Sequence, residues 1–444
     1  MKKIATSFVC FCLFSALTWG DESPKDFQKY WPTWRGPNAT GTAPHGNPPI
    51  EWNENKNVRW KINIPGKGSS SPIVWGEIVF VTTAIPVEQG ATEEAQPPDR
   101  RQRRRRRGQP TQVHKFDILA INRHDGKIRW QRTADQQIPH EGTHAEASWA
   151  SNSPITDGEH VYAYFGSRGL YCYDMQGNEK WKKDLGNMRT RNSFGEGSSP
   201  TLYGDTIVIN WDHEGQSFII ALDKKTGEER WKIARDEVTS WSTPIVVNHG
   251  GLPQVIANAT GHTRGYDLAT GNVIWESVGM VANVIPSPVT ADGIVYVASG
   301  HRGSALQAIR LADAKGDITD SDAIVWEYDR DTPYVPSPLL YGNTLYFLKR
   351  NSPILSCFNA KTGQAYYGPQ RLEGLAEIYA SPVGASNRVY LADRDGNTLV
   401  IKHGATFEVL AKNVLDDGFD ASPAIVDQEI YLRGRKYLYC ISSN

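Results

Sequence analysis

Residues 202–231 read LYGDTIVINWDHEGQSFIIALDKKTGEERW and contain the pattern that decides the fold. Apolar and polar residues alternate in short runs, and turns rich in glycine and aspartate separate these runs. Alternation of this kind between polar turns predicts antiparallel β-strands. Glycine allows a positive φ angle in the last turn, and an aspartate side chain closes that turn. The stretch therefore predicts four short strands, the last of which carries Trp231.

The turn before the last strand recurs along the chain with constant spacing. A small residue, an Asp or Asn, a Thr-Gly or Asp-Gly step and an aromatic residue keep the same separations in each copy. Four copies run from Ala120 to Trp130, Ala221 to Trp231, Gly265 to Trp275 and Cys357 to Tyr367. The aromatic residue can be buried against the neighbouring repeat. Cys172, Cys357 and Cys440 take the small-residue position, which predicts buried and unreactive thiols.

A Ser-Pro or Thr-Pro step precedes a short apolar run eight times. The prolines are Pro72, Pro154, Pro200, Pro244, Pro288, Pro338, Pro382 and Pro423. After the first, the intervals are 41 to 50 residues, the length of one four-stranded propeller blade. Pro is tolerated at the beginning of a strand because that position need not donate a ladder hydrogen bond.

The last repeat is too short for four strands, since only 21 residues follow Pro423. Residues 58–65, VRWKINIP, resemble the outer strands of the other repeats, with Trp60 as the aromatic residue. We expect this segment to pair with the last repeat and close the ring. The prediction is an all-β, eight-bladed propeller of four-stranded antiparallel blades over residues 51–444, preceded by a lead segment over 21–50.

Residues 1–20 have the features of a secretory signal peptide. Lys2 and Lys3 precede a short apolar run, and small residues end it before Asp21. The run is too short for a comfortable membrane span. Cys10 and Cys12 lie inside the run, so we expect plain export to the periplasm or the exterior and no lipid anchor. The mature chain is expected to be a monomer without a membrane span.

The net charge of -1 at pH 7 conceals a local basic segment and argues against a nucleic-acid binder. Residues 86–113 are polar and rich in proline, which predicts a disordered insertion between two strands of blade one. The insertion contains Arg100, Arg101, Arg103, Arg104, Arg105, Arg106 and Arg107. These side chains are candidates for binding an acidic polymer, and the alternative is a solvated segment with no fixed partner. Export makes nucleic acid the least natural partner.

The repeated turn and the eight predicted blades resemble the pyrroloquinoline-quinone (PQQ) repeat family. The stretches WPTWRGPNATG at residues 31–41 and VRWKINIPGKGSSSPIVWG at residues 58–76 are similar to exported PQQ-like propellers of planctomycete bacteria. The size also resembles BamB, the propeller subunit of the outer-membrane β-barrel assembly machine and a binding scaffold. Quinoprotein alcohol dehydrogenases share these blades and often carry two adjacent cysteines, which this sequence lacks.

The resemblance implies a non-catalytic binding or scaffold module that contacts envelope proteins. One alternative that it implies is a PQQ-dependent alcohol or sugar dehydrogenase, in which Ca²⁺ and a carboxylate base work beside the quinone. No residue of this sequence is assigned as that base. A third hypothesis is that the protein is an extracellular binder of acidic polymers or carbohydrates and uses the Arg-rich insertion for this.

Strand order predicts which loops share a face of the propeller. Loops between second and third strands emerge on the same side as the connections between blades. Cationic and aromatic residues in these loops would suit an anionic, planar or carbohydrate-like ligand, and the alternative is a set of ordinary rim residues. The candidate ligand-binding residues are Trp149, Arg191, Trp241, His262, His301, Arg330 and Tyr379.

One segment of the sequence matches the residue pattern of a known catalytic motif. Residues 140–144 read HEGTH, the H-E-x-x-H pattern of zinc proteases, in which both histidines lie on one helical turn. Pro139 and Gly142 disfavour a helix there, and the segment falls in the connection between blades one and two. We therefore expect neither a zinc protease nor a dedicated metal site.

Overall fold

The computed structural model describes residues 26–88 and 110–443. The predicted signal peptide and the arginines at 100–107 lie outside the described residues. Apart from the strands, the described chain has three single-turn 3₁₀ helices, Phe27–Lys29, Gly166–Arg168 and Arg191–Ser193. No helix in the described part of the chain has the length and apolar character needed to cross a membrane.

Eight four-stranded antiparallel sheets follow one another as the blades of a propeller, which confirms the predicted fold. We call the strands of a blade inner, second, third and outer, in order from the central channel. Blade one contains Ile73–Trp75, Ile78–Pro86, His114–Asn122 and Ile128–Gln137. Blade two contains Ile155–Thr156, His160–Tyr164, Leu170–Asp174 and Glu179–Lys183. Blade three contains Thr201–Tyr203, Thr206–Trp211, Ser217–Asp223 and Glu229–Arg235. Blade four contains Ile245–His249, Leu252–Ala257, Thr263–Asp267 and Val273–Ser277.

The second half of the ring has the same construction. Blade five contains Val289–Ala291, Ile294–Ser299, Ala305–Arg310 and Ile324–Tyr328. Blade six contains Leu339–Tyr341, Thr344–Leu348, Ile354–Asn359 and Ala365–Arg371. Blade seven contains Val383–Ala385, Arg388–Ala392, Asn397–Lys402 and Val409–Val414. Blade eight contains Ala424–Val426, Glu429–Arg433, Tyr437–Ser442 and, as its outer strand, Val58–Asn63.

The strand Val58–Asn63 pairs antiparallel with Tyr437–Ser442, which confirms that an N-terminal strand closes the ring. Trp60 stands opposite Cys440 in this pair, at the place predicted for its aromatic ring. Blade four gains a fifth strand, Gly316–Asp317, which pairs in parallel with its outer strand. This short strand comes from the connection between the third and outer strands of blade five. The extra residues explain why the repeat that begins at Pro288 is the longest after the first.

The recurring turn motif has a packing explanation that involves two blades. Trp181 of blade two donates its indole N–H to Lys224 O of blade three at 3.0 Å and lies against Gly227. A Cβ on Gly227 would lie 2.6 Å from this ring, and Gly227 also has a φ of +71°. The glycine is thus required both by its backbone angle and by the tryptophan of the preceding blade. The same pairing joins Trp60 to Gly126, Trp130 to Gly177, Trp231 to Gly271 and Trp326 to Gly363.

The small-residue position lies opposite the aromatic residue of the same blade. Cys172 pairs with Trp181, and Cys357 pairs with Tyr367. All three cysteines are buried, and burial raises the pKa of each thiol to about 12. This agrees with the prediction of unreactive thiols, because only the thiolate is nucleophilic.

The eight Ser-Pro and Thr-Pro steps form a closed ring of hydrogen bonds around the channel. The backbone N–H of each Ser or Thr donates to the hydroxyl oxygen of its counterpart in the next blade, and Ser422 donates to Ser71 at 3.0 Å. The other seven bonds are 2.9 Å long. We call this set the hydroxyl ring; its members are Ser71, Ser153, Ser199, Thr243, Ser287, Ser337, Ser381 and Ser422.

The lead segment closes the channel on the side opposite the connections between blades. Trp31 exchanges two backbone hydrogen bonds with Val74 of blade one, at 3.0 and 2.8 Å, and is fully buried. Further along, Ala43 N donates to Gly384 O of blade seven at 2.9 Å. Between these contacts, Arg35 donates to Pro338 O at 2.7 Å and to Pro382 O at 3.0 Å. Burial lowers the pKa of Arg35 to about 9, because carbonyl oxygens alone face its charge.

We expect Gly227→Ala to destabilise the protein more than Gly204→Ala. Both glycines have positive φ, but a Cβ on Gly204 meets nothing within 4 Å. The control therefore carries only backbone strain of about 1 kcal/mol, and Gly227→Ala adds about 1–3 kcal/mol of overpacking against Trp181. Urea unfolding followed by tryptophan fluorescence measures both. Equal losses in the two variants would contradict the packing role of the tryptophan–glycine pair.

Candidate functional site

A central funnel opens on the face that carries the connections between blades, as the strand order predicts. It encloses about 510 Å³ and narrows to the hydroxyl ring. Trp34 of the lead segment forms part of its floor, below the ring. Since Trp34 and Arg35 close the channel beneath, the funnel is accessible from one face. Such a cavity can accommodate a small ligand or a side-chain cluster from a partner.

Aromatic side chains line the funnel wall. Trp241 donates its indole N–H to Gly195 O at 2.7 Å, which fixes the ring against the neighbouring connection. Phe194 meets the ring of His144 edge-on at 5.2 Å. On the opposite wall, the rings of His301 and Tyr334 lie 4.8 Å apart. The wall therefore offers large apolar surfaces, and the indole N–H of Trp241 is already bonded within the protein.

An ion-pair cluster joins three connections across the funnel mouth. Glu146, from the connection between blades one and two, accepts hydrogen bonds from Tyr379 Oη at 2.6 Å and from Arg394 at 2.5 Å. Arg394 also donates to Asp420 at 2.7 Å and to Glu377 at 2.9 Å, and it lies 4.1 Å from the centre of the Tyr379 ring. The guanidinium group of Arg394 thus donates hydrogen bonds to three carboxylates. Glu146 thus links the connection between blades one and two to blade seven.

The pKa shifts in this cluster follow from its contacts. The hydrogen bond from Tyr379 and then that from Arg394 lower the pKa of Glu146, so its carboxylate is ionised. Burial, followed by the bond to Glu146, raises the pKa of Tyr379, so its hydroxyl stays protonated. Burial alone would lower the pKa of Arg394, but the bonds to Glu146 and the charge of Asp420 raise it. Asp420 also pairs with Arg435 at 3.0 Å, so three carboxylates face two guanidinium groups and the cluster keeps an excess of negative charge.

Glu196 lines the funnel from the connection between blades two and three. Its carboxylate accepts hydrogen bonds from Ser167 N at 2.6 Å and from Ser167 Oγ at 2.5 Å. Burial raises the pKa of Glu196 to about 7 against these lowering hydrogen bonds, and the nearby Glu141 adds to the rise. Glu196 is therefore the one carboxyl lining the funnel for which such a rise toward neutral pH is found among the described residues.

The H-E-x-x-H segment is not helical, in line with the expectation from Pro139 and Gly142. His140 contacts Met188 O through Nε2 at 2.6 Å and Arg168 through Nδ1 at 3.0 Å. Glu141 accepts from Thr190 N and from Thr190 Oγ1, the latter at 2.5 Å. His144 faces the funnel beside Phe194. The two histidines thus have separate surroundings.

Two groups of side chains in the described residues have the spacing of metal ligands, and each has a cation beside it. In the first, His140, Glu141 and Glu196 lie next to the guanidinium of Arg168. In the second, Asp236, Glu237 and His262 surround Arg264, which pairs with Asp236 at 2.7 Å. The candidate ligand atoms of these groups already bond to other groups of the protein. We therefore assign no metal to either.

The sequence-predicted binding residues fall into two sets. Trp241, His301 and Tyr379 line the funnel, and Arg191 lies on the rim, close enough to lower the pKa of His301.

Trp149 packs against His114 at 4.6 Å, away from the cavity. His262 pairs with Glu237 on the outer part of the same face, and Arg330 is 78% exposed beside Asp329. The structure therefore does not bring Trp149, His262 and Arg330 into the funnel.

Several residues in or beside the funnel were absent from the sequence prediction. Trp34 belongs to the lead segment, and only its place in the stretch WPTWRGP could have drawn attention to it. Glu146 and Arg394 meet over a separation of 248 residues, which no local pattern reveals. Glu196 stands four residues before Pro200, so its position near the channel follows from the repeat, but its burial does not.

Comparisons with known proteins support the repeat assignment. The family model described as "Outer membrane protein assembly factor BamB" matches residues 114–279 and 219–444, together most of the chain. A protein of that name from Francisella salina is 27% identical over 101 residues, which cover 23% of this chain and 18% of that relative.

Solved structures share the fold at low sequence identity. BamB from Moraxella catarrhalis is 12% identical, with a TM-score of 0.57 over 86% of this chain and 96% of that one. The quinohemoprotein alcohol dehydrogenase from Comamonas testosteroni is 11% identical, with a TM-score of 0.62 over 94% of this chain and 81% of that one. A computationally designed protein, Ika8, has a TM-score of 0.57 at 12% identity over 89% of this chain and 100% of its own.

We expect Glu196→Gln to change how stability depends on pH. The pKa of Glu196 is raised from 4.5 to about 7 in the folded protein, so the folded state binds the proton more tightly. Wild-type stability should fall as pH rises from 4.5 to 7, by at most about 3 kcal/mol from this group. The glutamine variant should lack this fall, whereas the control Glu159→Gln at an exposed position should retain it. Urea unfolding at pH 5 and pH 8 measures the difference, and an identical pH response in Glu196→Gln and wild type would contradict it.

Proposed function

Because this chain belongs to the BamB family of PQQ-like propellers, we propose that it is an exported, non-catalytic binding module that holds proteins of the cell envelope. The single observation that carries the proposal is the chemistry of the funnel. Glu146, Glu196 and Asp420 line it together with five aromatic residues, and no Lys or Arg is among its described lining residues. Such a cavity complements a partner segment with basic and apolar side chains.

The rigidity of the funnel supports a docking role. Trp241 and Tyr379 are held by hydrogen bonds to Gly195 O and Glu146, so their rings are positioned before a partner arrives. Fixed aromatic anchors lose little side-chain entropy on binding, which favours affinity. The hydroxyl ring fixes the base of every wall, because each connection between blades leads directly into one of its members.

The main alternative is a quinone-dependent dehydrogenase, and the funnel residues do not fit its cofactor. PQQ is a planar tricarboxylate, so its site must, together with the Ca²⁺ beside it, supply enough positive charge to offset three carboxylates. The funnel instead presents carboxylates, and the adjacent Arg394 is already shared among Glu146, Glu377 and Asp420. Desolvating three further carboxylates there would be unfavourable. We therefore derive no catalytic step through a quinone.

The Arg-rich stretch at residues 100–107 supports a separate proposal, that an acidic polymer is a second partner. On either side of the segment that contains this stretch, the described chain is paired: Pro86 lies opposite His114, and Val87 N donates to Val113 O at 2.8 Å. A variant in which all seven arginines become glutamine would therefore leave the described blade unchanged and isolate the contribution of charge.

We expect a photo-reactive amino acid at position 241 to cross-link the chain to a specific envelope protein in the native cell. The matched control places it at position 366, where Tyr366 is exposed on the outer strand of blade six. A synthetic peptide that alternates lysine and tryptophan should compete with the cross-link, and one that alternates glutamate and tryptophan should not. Equal cross-linking at both positions, or equal competition by both peptides, would contradict docking in the funnel.

We expect no saturable change in the spectrum of PQQ when the mature chain is titrated with PQQ and Ca²⁺. Dye-linked oxidation of alcohols and sugars should also stay at the level of a buffer control, because the funnel opposes a tricarboxylate. The variant Trp241→Ala supplies the internal comparison, since it removes a possible stacking surface. Saturable binding that this variant loses, accompanied by turnover, would overturn the scaffold proposal in favour of a dehydrogenase.

A further inference from the structure

A second cavity lies beside the funnel on the same face, between blades five and six. It encloses about 570 Å³ and shares only His301 and Tyr334 with the funnel lining. We call it the blade 5–6 pocket. Its walls are the loop at residues 300–302, the connection around Tyr334, the loop at residues 350–353 and the segment that follows the outer strand of blade six.

Close contacts fix these walls relative to one another. A Cβ on Gly300 would lie 2.5 Å from Thr332 O, so the first loop packs directly on the connection. Thr332 O also accepts from Arg350 N at 2.8 Å. Asn351 joins the remaining walls, because its side chain accepts from Val335 N at 3.0 Å and its carbonyl accepts from Ile378 N at 2.8 Å. Contacts within the propeller therefore hold the walls of the pocket in place.

The pocket carries an excess of positive charge. Arg302, Arg350 and Arg371 line it, and Glu377 is its one acidic residue among the described lining. Glu377 is paired with Arg394, on the funnel side, at 2.9 Å. Arg371 lies 3.9 Å from the exposed Glu373, a weak surface pair. The local charge thus has the opposite sign to that of the funnel.

Two of these arginines occupy an unusual backbone conformation. Arg302 has a φ of +55° and Arg350 a φ of +52°, in the left-handed region that glycine favours. Each costs about 1–2 kcal/mol relative to glycine in that conformation. Strain of this kind concentrates at binding sites, where the side chain is needed despite the backbone. Glycine would relieve the strain at both positions but would remove both charges.

The positive charge of the pocket affects the pKa of His301. Burial, followed by the charges of Arg302, Arg350 and Arg191, lowers its pKa below 6.5, so the ring is neutral at pH 7. Its ring lies 4.8 Å from that of Tyr334 at an angle of 33°. The pocket therefore combines several cations with a neutral aromatic wall. An anion that contacted the arginines would offset their positive charge.

We propose that the blade 5–6 pocket binds a small ligand carrying at least two oxyanion groups, phosphate or carboxylate. Arg302 and Arg350 bind its oxygens, Arg371 closes the outer side, and the His301–Tyr334 pair contacts the body of the ligand. Guanidinium groups suit this role because their paired N–H donors match two oxygens of a phosphate or carboxylate. The site is separate from the funnel, so it goes beyond the docking of an envelope protein.

The test uses the mature chain with glutamine at Arg100, Arg101 and Arg103–Arg107, so that these arginines do not bind the probes. Pyrophosphate and citrate are titrated by calorimetry at low ionic strength. We expect saturable binding of at least one probe, weakened tenfold or more by Arg302→Gln and by Arg350→Gln. The control Arg330→Gln, an exposed arginine outside the pocket, should leave the affinity unchanged. Preference for pyrophosphate would identify a phosphate ligand, and preference for citrate a polycarboxylate.

A second readout locates the bound probe. Bound oxyanions should raise the pKa of His301, measured by NMR of its ring protons, while His249 on the opposite face should not respond. Unchanged melting temperatures would establish that the variants fold. The proposal is overturned if neither probe binds saturably, or if Arg302→Gln and Arg350→Gln bind as tightly as Arg330→Gln. Cross-linking at position 241 is independent of these results, so the two proposals fail separately.

Discussion

The hydroxyl ring is the constraint on which the rest of the structure depends. Each blade donates one backbone N–H to the Ser or Thr hydroxyl of the next, and the eighth donor, Ser422, returns to Ser71. All eight residues are buried, so an unmade bond would cost about 1–3 kcal/mol. The following proline restricts each Ser or Thr to extended backbone, which sets the hydroxyl before the ring forms. Relative to one another, the blades are therefore held at the channel by a circuit that has no free end.

A second set of contacts repeats this logic away from the channel. The outer-strand tryptophan of one blade lies under the turn glycine of the next, as Trp181 does under Gly227. Five of the eight junctions between blades are therefore held at the outer strand as well as at the channel. In blade eight the outer strand comes from the N-terminal part of the chain. Its Trp60 makes the contact with blade one that an outer strand following Ser442 would otherwise have to make. The connections between blades are then free to vary, which is where the funnel residues lie.

The repeat made the fold predictable, and the same property limited prediction of the site. Gly227, Trp231 and Pro200 recur with their neighbours at constant spacing, so blade number, strand order and the closing strand follow from one sequence.

Glu146 and Arg394 belong to no repeat, and their pairing depends on how far one connection extends over the ring. For the same reason, loop membership placed Trp241 and Tyr379 on the correct face but could not separate them from His262, whose partner Glu237 lies farther from the channel. The lead segment gave a recognisable motif, but its role in closing the channel required the contacts of Arg35.

The funnel face is divided by charge, and the division follows from the ring geometry. The loop between the second and third strands of blade seven brings Arg394 inward, where it binds Glu146, Glu377 and Asp420. Arg435 of blade eight also pairs with Asp420, so three carboxylates face two guanidinium groups and the wall stays negative. Loops of blades five and six hold Arg302 and Arg350 without a comparable acidic partner among the described residues, and they do so on left-handed backbone. Because the blades cannot move independently, neither side can neutralise the other by closing the gap. A rigid ring can thus keep opposite charges side by side, and ligands of opposite charge can occupy adjacent sites on one face.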